Sequence, residues 1–391
     1  MQNLNLPPDA AANTISLMIG HPDPTTLFTP EFQASVNRVL AAPQPFHALE
    51  YGQEQGNPAL IDFLVDKFNR DQTLALSREQ LMIVAGSTHA VDMIARLYTH
   101  PGGAVMVEAP TYADALHIFR DHSVELHGVP MDDQGVIIAE MERLLERLSA
   151  SGNLPALFYT IPTFHNPSGT TLSESRRVEI LKLAQRYGFM IVEDDVYRAL
   201  EFDTHAPPSF FALAKNSGVS VTHIGSFSKT LAPGLRLGWL IASAEAIAGF
   251  VDCGTTQMGG GASPLSAQIV AEYCRQGHWE AHILHLQQVY QMRRDIMLAA
   301  LEQYMPEGVT WTMPAGGFFV WVTLPENVFA REVKRQAQEH RVMVAAGPNY
   351  FIDPNSDNGQ HNLRLTYSFA PPEDIETAVR ILAEVVTGLC A

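Results

Sequence analysis

The stretch from Ile224 to Trp239, IGSFSKTLAPGLRLGW, holds the residues best suited to chemistry. A β-run ends in a serine-rich turn that presents Lys229, and Arg236 follows seven residues later. The chain has only five lysines; Lys67, Lys182, Lys215 and Lys334 sit in amphipathic helical contexts, where a solvated face is the default. Lys229 alone stands at a strand exit among small hydroxylated residues. Partial burial and nearby cations depress a lysine's pKa, and the neutral amine then forms Schiff bases with carbonyls. Taken alone, Lys229 also reads as an ordinary loop lysine. Upstream, IVEDDVY places Asp194 at a strand's C-terminal end with Tyr197 three residues on, where open α/β sheets bind ligands. TIPTFHNPSGTT puts an Asn166-Pro-Ser-Gly turn after the run ALFYT. GSTHA, residues 86–90, follows LMIV and opens a helix, so the free N–H groups at Ser87 and Thr88 form an anion site. Ser226, Ser228 and Arg236 add phosphate donors, the arginine in bidentate form. Any one of these turns is readable as punctuation; their order and shared strand-end placement argue against coincidence.

The elements around these turns alternate. Short apolar runs, LMIV (81–84), AVMVE (104–108), ALFYT (156–160), FMIVE (189–193), VTHIGS (221–226) and LGWLIA (237–242), are separated by amphipathic segments such as AVDMIARLYTH and SESRRVEILKLAQRYG. This predicts an α/β fold with a mainly parallel sheet covered on both faces. Pro58 opens a helix with Leu60, Phe63, Leu64 and Phe68 on one side. After about residue 280, a long helical segment leads to FFVWVTL, VMVAA, LRLTY and a final helix, which reads as a smaller α+β domain. The expected division is 1–50, an arm with a helical patch near 30–40 and part of the small domain; 51–280, the large domain; and 281–391, the small domain. A length of 391 residues fits two or three domains. The apolar content of 46% excludes a disordered chain, and a net charge of −17 speaks against gripping a phosphate backbone, so no nucleic-acid partner is expected. No uninterrupted apolar run approaches membrane-spanning length and no signal-peptide pattern opens the chain. Cys253, Cys274 and Cys390 lack paired spacing, so reduced thiols in the cytoplasm are expected.

With these residues in place, the chain resembles the fold-type I pyridoxal-phosphate enzymes, specifically class I/II aminotransferases. The likeness spans YGxxxG at 51–56, GST at 86–88, EAPTY at 108–112, NPSG at 166–169, DDVY at 194–197, SFSK at 226–229 with Arg236, and LRLTYS at 363–368. It is nearest the 2-aminoadipate, kynurenine and aromatic aminotransferases and the catalytic half of MocR-type regulators. The resemblance implies an aspartate-aminotransferase-like architecture with a seven-stranded sheet, and pyridoxal 5'-phosphate as cofactor. It implies that Lys229 holds the cofactor as an aldimine and shuttles the proton. Asp194 would pair with the ring nitrogen, Asn166 and Tyr197 with the ring's 3-oxygen, and Tyr112 would stack on its face. Ser87, Thr88, Ser226, Ser228 and Arg236 would hold the phosphate, and Tyr51 would reach the partner subunit's phosphate in a homodimer. Arg364 would clamp the α-carboxylate of an amino acid or 2-oxo acid, and Gly20 would lie in a segment closing over it. The chain departs from the family pattern at Ile61, where an arginine is usual, at Thr88, where glutamine is common, and in ISLMIGHPDP, which keeps only Gly-Xaa-Pro.

Elimination or decarboxylation at the same cofactor is an alternative outcome, and a ligand-sensing regulator a more distant one; only about 50 residues, none basic-patterned, precede Tyr51. No metal site is expected. His278, His282 and His285 read as a wet helix face, MGGGAS (258–263) as a loop near a dimer interface, and Met292, Ile296 and Leu301 as core. Arg143, Arg147, Arg176, Arg177 and Arg186 read as solvated ion-pair faces.

Overall fold

A computed structural model describes residues 14–72 and 74–390; the first thirteen residues of the expected arm lie outside it. In chain order the strands are β1 (Ile15–Ser16), β2 (Leu81–Val84), β3 (Ala104–Ala109), β4 (Glu125–Asp132), β5 (Gly135–Val136), β6 (Leu157–Thr160), β7 (Met190–Asp194) and β8 (Val221–Ser226). Then come β9 (Gly238–Ile241), β10 (Thr310–Trp311), β11 (Phe319–Thr323), β12 (Val342–Met343), β13 (Ala345–Ala346) and β14 (Asn362–Thr366). The large sheet runs β2-β9-β8-β7-β6-β3-β4-β5. Neighbouring strands from β4 through β3, β6 and β7 to β8 are parallel. Seven strands form its body, and β5 adds a two-residue antiparallel return. Strand β4 escaped the sequence reading because it is half-exposed and contains Gly128 and Pro130, so no apolar run marks it.

The central strands are apolar without alternation because both faces are covered. Val107, Tyr159, Val192 and Ile224 face one layer with Ile94 and Phe119, while Met106, Phe158 and Ile191 face another with Leu145 and Ile180. Near the β2 edge, Ile83, Trp239 and Ile241 pack on Leu60, Leu64 and Phe68 of the helix Pro58–Gln72.

Strand β9 is the topological exception, antiparallel to both β8 and β2. Gly238 lies opposite Ser226 on one side and Val84 on the other. The start of β9 therefore lies at the same sheet end as the C-termini of β2 and β8. Arg236, two residues earlier, is delivered to that end.

The smaller sheet, β10-β11-β14-β13, is antiparallel and carries Arg364 on β14, opposite Trp321 and Ala345. The chain start joins this part of the molecule, since β1 pairs in parallel with β12. The helix Pro30–Leu40 instead docks on the helix Pro264–Arg275, with Arg38 paired to Glu272 at 2.7 Å. The long helix His278–Tyr304 runs on past the expected start of the small domain at residue 281.

Three expectations for individual side chains are corrected. His282 is buried rather than wet, and desolvation lowers its pKa to about 4. Met292 is 49% exposed rather than core, whereas Leu301 is buried. Arg177 is fully buried. Burial of a charged guanidinium requires partners on every side, and the helix periodicity that placed Arg177 could not reveal them.

Candidate active site

Five strands end at one rim, and each delivers a residue singled out in the sequence. After β2, Gly86 precedes the helix Ser87–Tyr98 with a φ of +88°, and a Cβ there would stand 2.8 Å from Arg236 Nη2. The positive φ favours glycine there, and the close approach marks how near the Arg236 side chain lies to this turn. Backbone N–H groups of the helix start and a guanidinium thus converge on one point, with the Ser226 and Ser228 hydroxyls on the adjoining turn. A dianionic phosphate suits such a cradle. Thr88 is exposed and Ser87 half-buried in the first helical turn.

After β6 comes the Asn166 turn, held from below. Glu108 of β3, buried, accepts hydrogen bonds from Thr160 Oγ1 at 2.6 Å and Ile161 N at 2.8 Å. Its Oε2 lies 3.0 Å from His165 Nε2, and His165 Nδ1 contacts Ser168 Oγ at 2.8 Å. The Arg177 guanidinium donates to Pro162 O at 2.8 Å, Thr163 Oγ1 at 3.1 Å, Leu172 O at 3.0 Å and Pro208 O at 3.2 Å, and it lies 3.5 Å from Glu193 Oε1. Sequence reasoning missed Glu108, Tyr159, His165 and Arg177. A polar residue within an otherwise apolar strand run was the available signal for Glu108 and Tyr159.

After β7, Asp194 is buried, and its Oδ2 accepts the Tyr159 hydroxyl at 2.7 Å. Its Oδ1 has no hydrogen-bond partner among the described residues. Burial raises the carboxyl to about 6, opposed by the Tyr159 hydrogen bond. A buried carboxylate oxygen without a donor calls for one, and a protonated ring nitrogen of a bound ligand would suit it. Tyr197, also buried, has a side-chain hydrogen bond with Asn166 and packs edge-on against Phe318 and Phe319. Tyr112, at the start of the helix Ala113–Asp121, donates to Asp114 at 2.6 Å. Desolvation pushes both phenols well above the usual tyrosine range.

After β8, Lys229 Nζ stands 5.9 Å from the Tyr197 ring centroid and donates to Gly20 O at 3.3 Å. Burial lowers its pKa to about 8; Asp194 opposes the shift and the Arg364 and Arg236 charges add to it. From the small sheet, Arg364 donates to Asn166 Oδ1 at 3.0 Å and Met18 O at 2.6 Å, between the rings of Phe319 and Tyr350. Its Nε is buried without a hydrogen-bond partner among the described residues. Gly20 is a glycine because a Cβ would meet Phe319 at 2.8 Å. The positive charges of Lys229 and Arg364 reach His21 and, after desolvation, oppose its protonation.

Tyr51 is not brought into this cluster. It is 92% exposed and lines a surface groove of about 1140 Å³ with Met258, Gly259 and Pro264.

A parallel sheet that gathers an activated lysine, an orphaned carboxylate oxygen and a phosphate cradle at one rim defines a pyridoxal-phosphate enzyme of fold type I. Comparison with known proteins narrows the class: the chain matches the model of the aminotransferase class I and II family over residues 15–382 and belongs to that family. It is 34% identical over 375 residues to aromatic-amino-acid aminotransferase 1 of Thermococcus litoralis, covering 96% of this chain and 88% of that one. The solved Pyrococcus horikoshii kynurenine aminotransferase, in complex with PMP, superposes with a TM-score of 0.90 at 33% identity, covering 96% and 91% of the two chains. LysN, the α-aminoadipate aminotransferase of Thermus thermophilus, superposes at 0.87 with 30% identity, covering 98% and 94%. The chain is an aminotransferase, and its cofactor is pyridoxal phosphate.

Proposed function

We propose that this enzyme moves the amino group of a 2-aminoadipate-type, aromatic or branched aliphatic α-amino acid to 2-oxoglutarate in two half-reactions at one site. The observation that carries the reading is Arg364, a buried guanidinium that bonds Asn166 Oδ1 and Met18 O, two residues along the chain from the Gly20 carbonyl that Lys229 contacts. A planar fork at that place suits the α-carboxylate shared by both substrates. The relatives named for aromatic amino acids, kynurenine and α-aminoadipate support the donor classes.

In this reading Asp194 Oδ1 holds the ring-nitrogen proton, and Asn166 and Tyr197 bond the ring's 3-oxygen. Tyr112 covers one ring face, while Ser87, Thr88, Ser226, Ser228 and Arg236 bind the phosphate. When bound, pyridoxal phosphate supplies an electron-withdrawing ring that accepts the electron pair left at the substrate's Cα. The Lys229 amine takes the proton from Cα. With its pKa lowered to about 8, roughly a tenth of the amine is neutral and able to act as a base at pH 7, where an ordinary lysine is almost wholly charged. The Tyr197 ring and the Gly20 backbone lie against that amine and limit its contact with water.

A screen of amino donors with 2-oxoglutarate, read by chromatography of the new amino acid, tests the function. Pyruvate or ammonia release without any acceptor would show elimination instead. In the same assay, Arg364→Ala is expected to raise the KM of donor and acceptor alike by roughly 10- to 100-fold, the worth of a charge-assisted fork. Unchanged KM values would remove Arg364 from carboxylate binding.

We also propose a homodimer in the cytoplasm, with Tyr51 completing the partner subunit's phosphate cradle. The exposed Tyr51, Met258 (85%) and Leu49 (71%) around one groove support it, since solvent-facing apolar clusters mark interfaces. Light scattering is expected to give twice the 43.0 kDa chain mass, and a monomer that binds cofactor at full strength would refute the shared cradle. Among the described residues no helix is long and apolar enough to cross a membrane.

A further inference from the structure

Asp194 is buried at the sheet rim with one carboxylate oxygen bound and the other free. Tyr159 and Asp194 lie on adjacent parallel strands, in a register that pairs Tyr159 with Val192. The phenol therefore reaches two residues along β7 to place its hydroxyl 2.7 Å from Asp194 Oδ2. Tyr159 is itself fully buried and fixed by packing, with Phe119 edge-on at 5.7 Å between ring centroids. It is the only hydrogen-bond donor to the Asp194 side chain among the described residues.

We infer that Tyr159 is a positioning residue for the cofactor: by donating to Oδ2 it fixes the carboxylate plane, aims Oδ1 at the ring nitrogen and keeps the group ionised. The inference rests on the reading of Asp194 as the ring-nitrogen partner.

The surroundings explain why a donor is needed. Asp195, next in the chain, faces Asp194 with a like charge, and its own Oδ2 is taken by Arg198. His223 of β8 attracts Asp194, but its Nδ1 contacts Glu193 at 3.1 Å. Lys229, after β8, contributes charge without a hydrogen bond, and Tyr112 and Tyr197 complete the electrostatic surroundings as neutral phenols. Burial outweighs these attractions and leaves the carboxyl at about 6 even with the Tyr159 bond in place. Burial also pushes the Tyr159 phenol far above the usual tyrosine range, so it remains a donor throughout the working pH range.

The test compares the holoenzymes of the parent, Tyr159→Phe and Asp194→Asn. Pyridoxal phosphate dissociation is measured by equilibrium dialysis from pH 5 to 9, alongside the visible absorption of the bound cofactor. Phenylalanine keeps the ring that fills the core, and the unfolding midpoint of each cofactor-free protein confirms the fold. For Tyr159→Phe the dissociation constant at pH 7.5 is expected to rise about tenfold, roughly 1.4 kcal/mol. The pH below which affinity falls is expected to move up by about one unit, because a carboxyl without its donor protonates sooner. Packing alone would not move that pH midpoint. A Tyr159→Phe dissociation constant within twofold of the parent with the same midpoint overturns the inference, provided Asp194→Asn weakens binding. If Asp194→Asn also leaves binding unchanged, the assignment of Asp194 falls and the inference with it.

Discussion

Replacing Lys229 by alanine is expected to lower turnover by on the order of 10⁴-fold or more, because the proposed covalent anchor and general base would be lost together. The visible absorption of lysine-bound cofactor should vanish, while the urea unfolding midpoint of the cofactor-free protein stays close to the parent's. Among the described residues the ammonium makes one hydrogen bond, to Gly20 O and long at 3.3 Å, and its charge is disfavoured by burial and by Arg364 and Arg236. Retention of both the absorption band and full turnover in Lys229→Ala would overturn the assignment. Stopped-flow spectra of the variant with an amino-acid donor provide the reading.

The second large effect falls on stability. Arg177→Ala is expected to destabilise the protein by about 3–5 kcal/mol, the range for breaking a buried ion pair from one side. The guanidinium satisfies the Pro162, Leu172 and Pro208 carbonyls and the Thr163 hydroxyl, and all of them lose a donor together. Glu193 keeps the Phe210 and Phe211 N–H groups, at 2.8 and 3.3 Å, and its contact with His223, but loses the Arg177 charge 3.5 Å away. Arg177→Lys should recover less than half of the loss, because an ammonium cannot serve a fork of divergent acceptors. Urea denaturation checks both variants, and a shift worth less than about 0.5 kcal/mol for Arg177→Ala would show that the carbonyls find other donors. Cofactor affinity should fall in parallel, since the 162–163 backbone leads into the Asn166 turn.

Much of the site was legible because it is built from turns. Strand-end motifs such as NPSG, DDVY and SFSK need particular residue types at particular steps, so they print themselves on the sequence. Arg236 was legible as a residue, but its position was not: it reaches the rim only because β9 runs antiparallel between β8 and β2. The 18–21 segment is nearly silent in sequence for a different reason. It meets the site through backbone carbonyls, with Arg364 on Met18 O, Lys229 on Gly20 O and Ser368 on His21 O at 2.7 Å. Carbonyls are common to every residue type, so the side chains there carry little of the signal. Edge strand β4 was illegible because half-exposure removes the apolar run by which buried parallel strands are found.

What the sequence determined by itself was local: the buried parallel strands and most helices, the strand-end turns, and Lys229 at a strand exit among small hydroxylated residues. Those properties follow from neighbouring residues, whose periodicity and turn chemistry a linear reading can follow. Only the tertiary structure decided which polar side chains are dry and with whom they pair. Arg177 and Arg176 are adjacent on one helix, yet the first is fully buried and the second pairs at the surface with Asp132 at 2.6 Å. Tyr159 looks like one more strand residue until β6 settles beside β7 and its hydroxyl meets Asp194. Burial and pairing arise from contacts between segments far apart in the chain, and these raise or lower a charged group's energy by more than any local preference does.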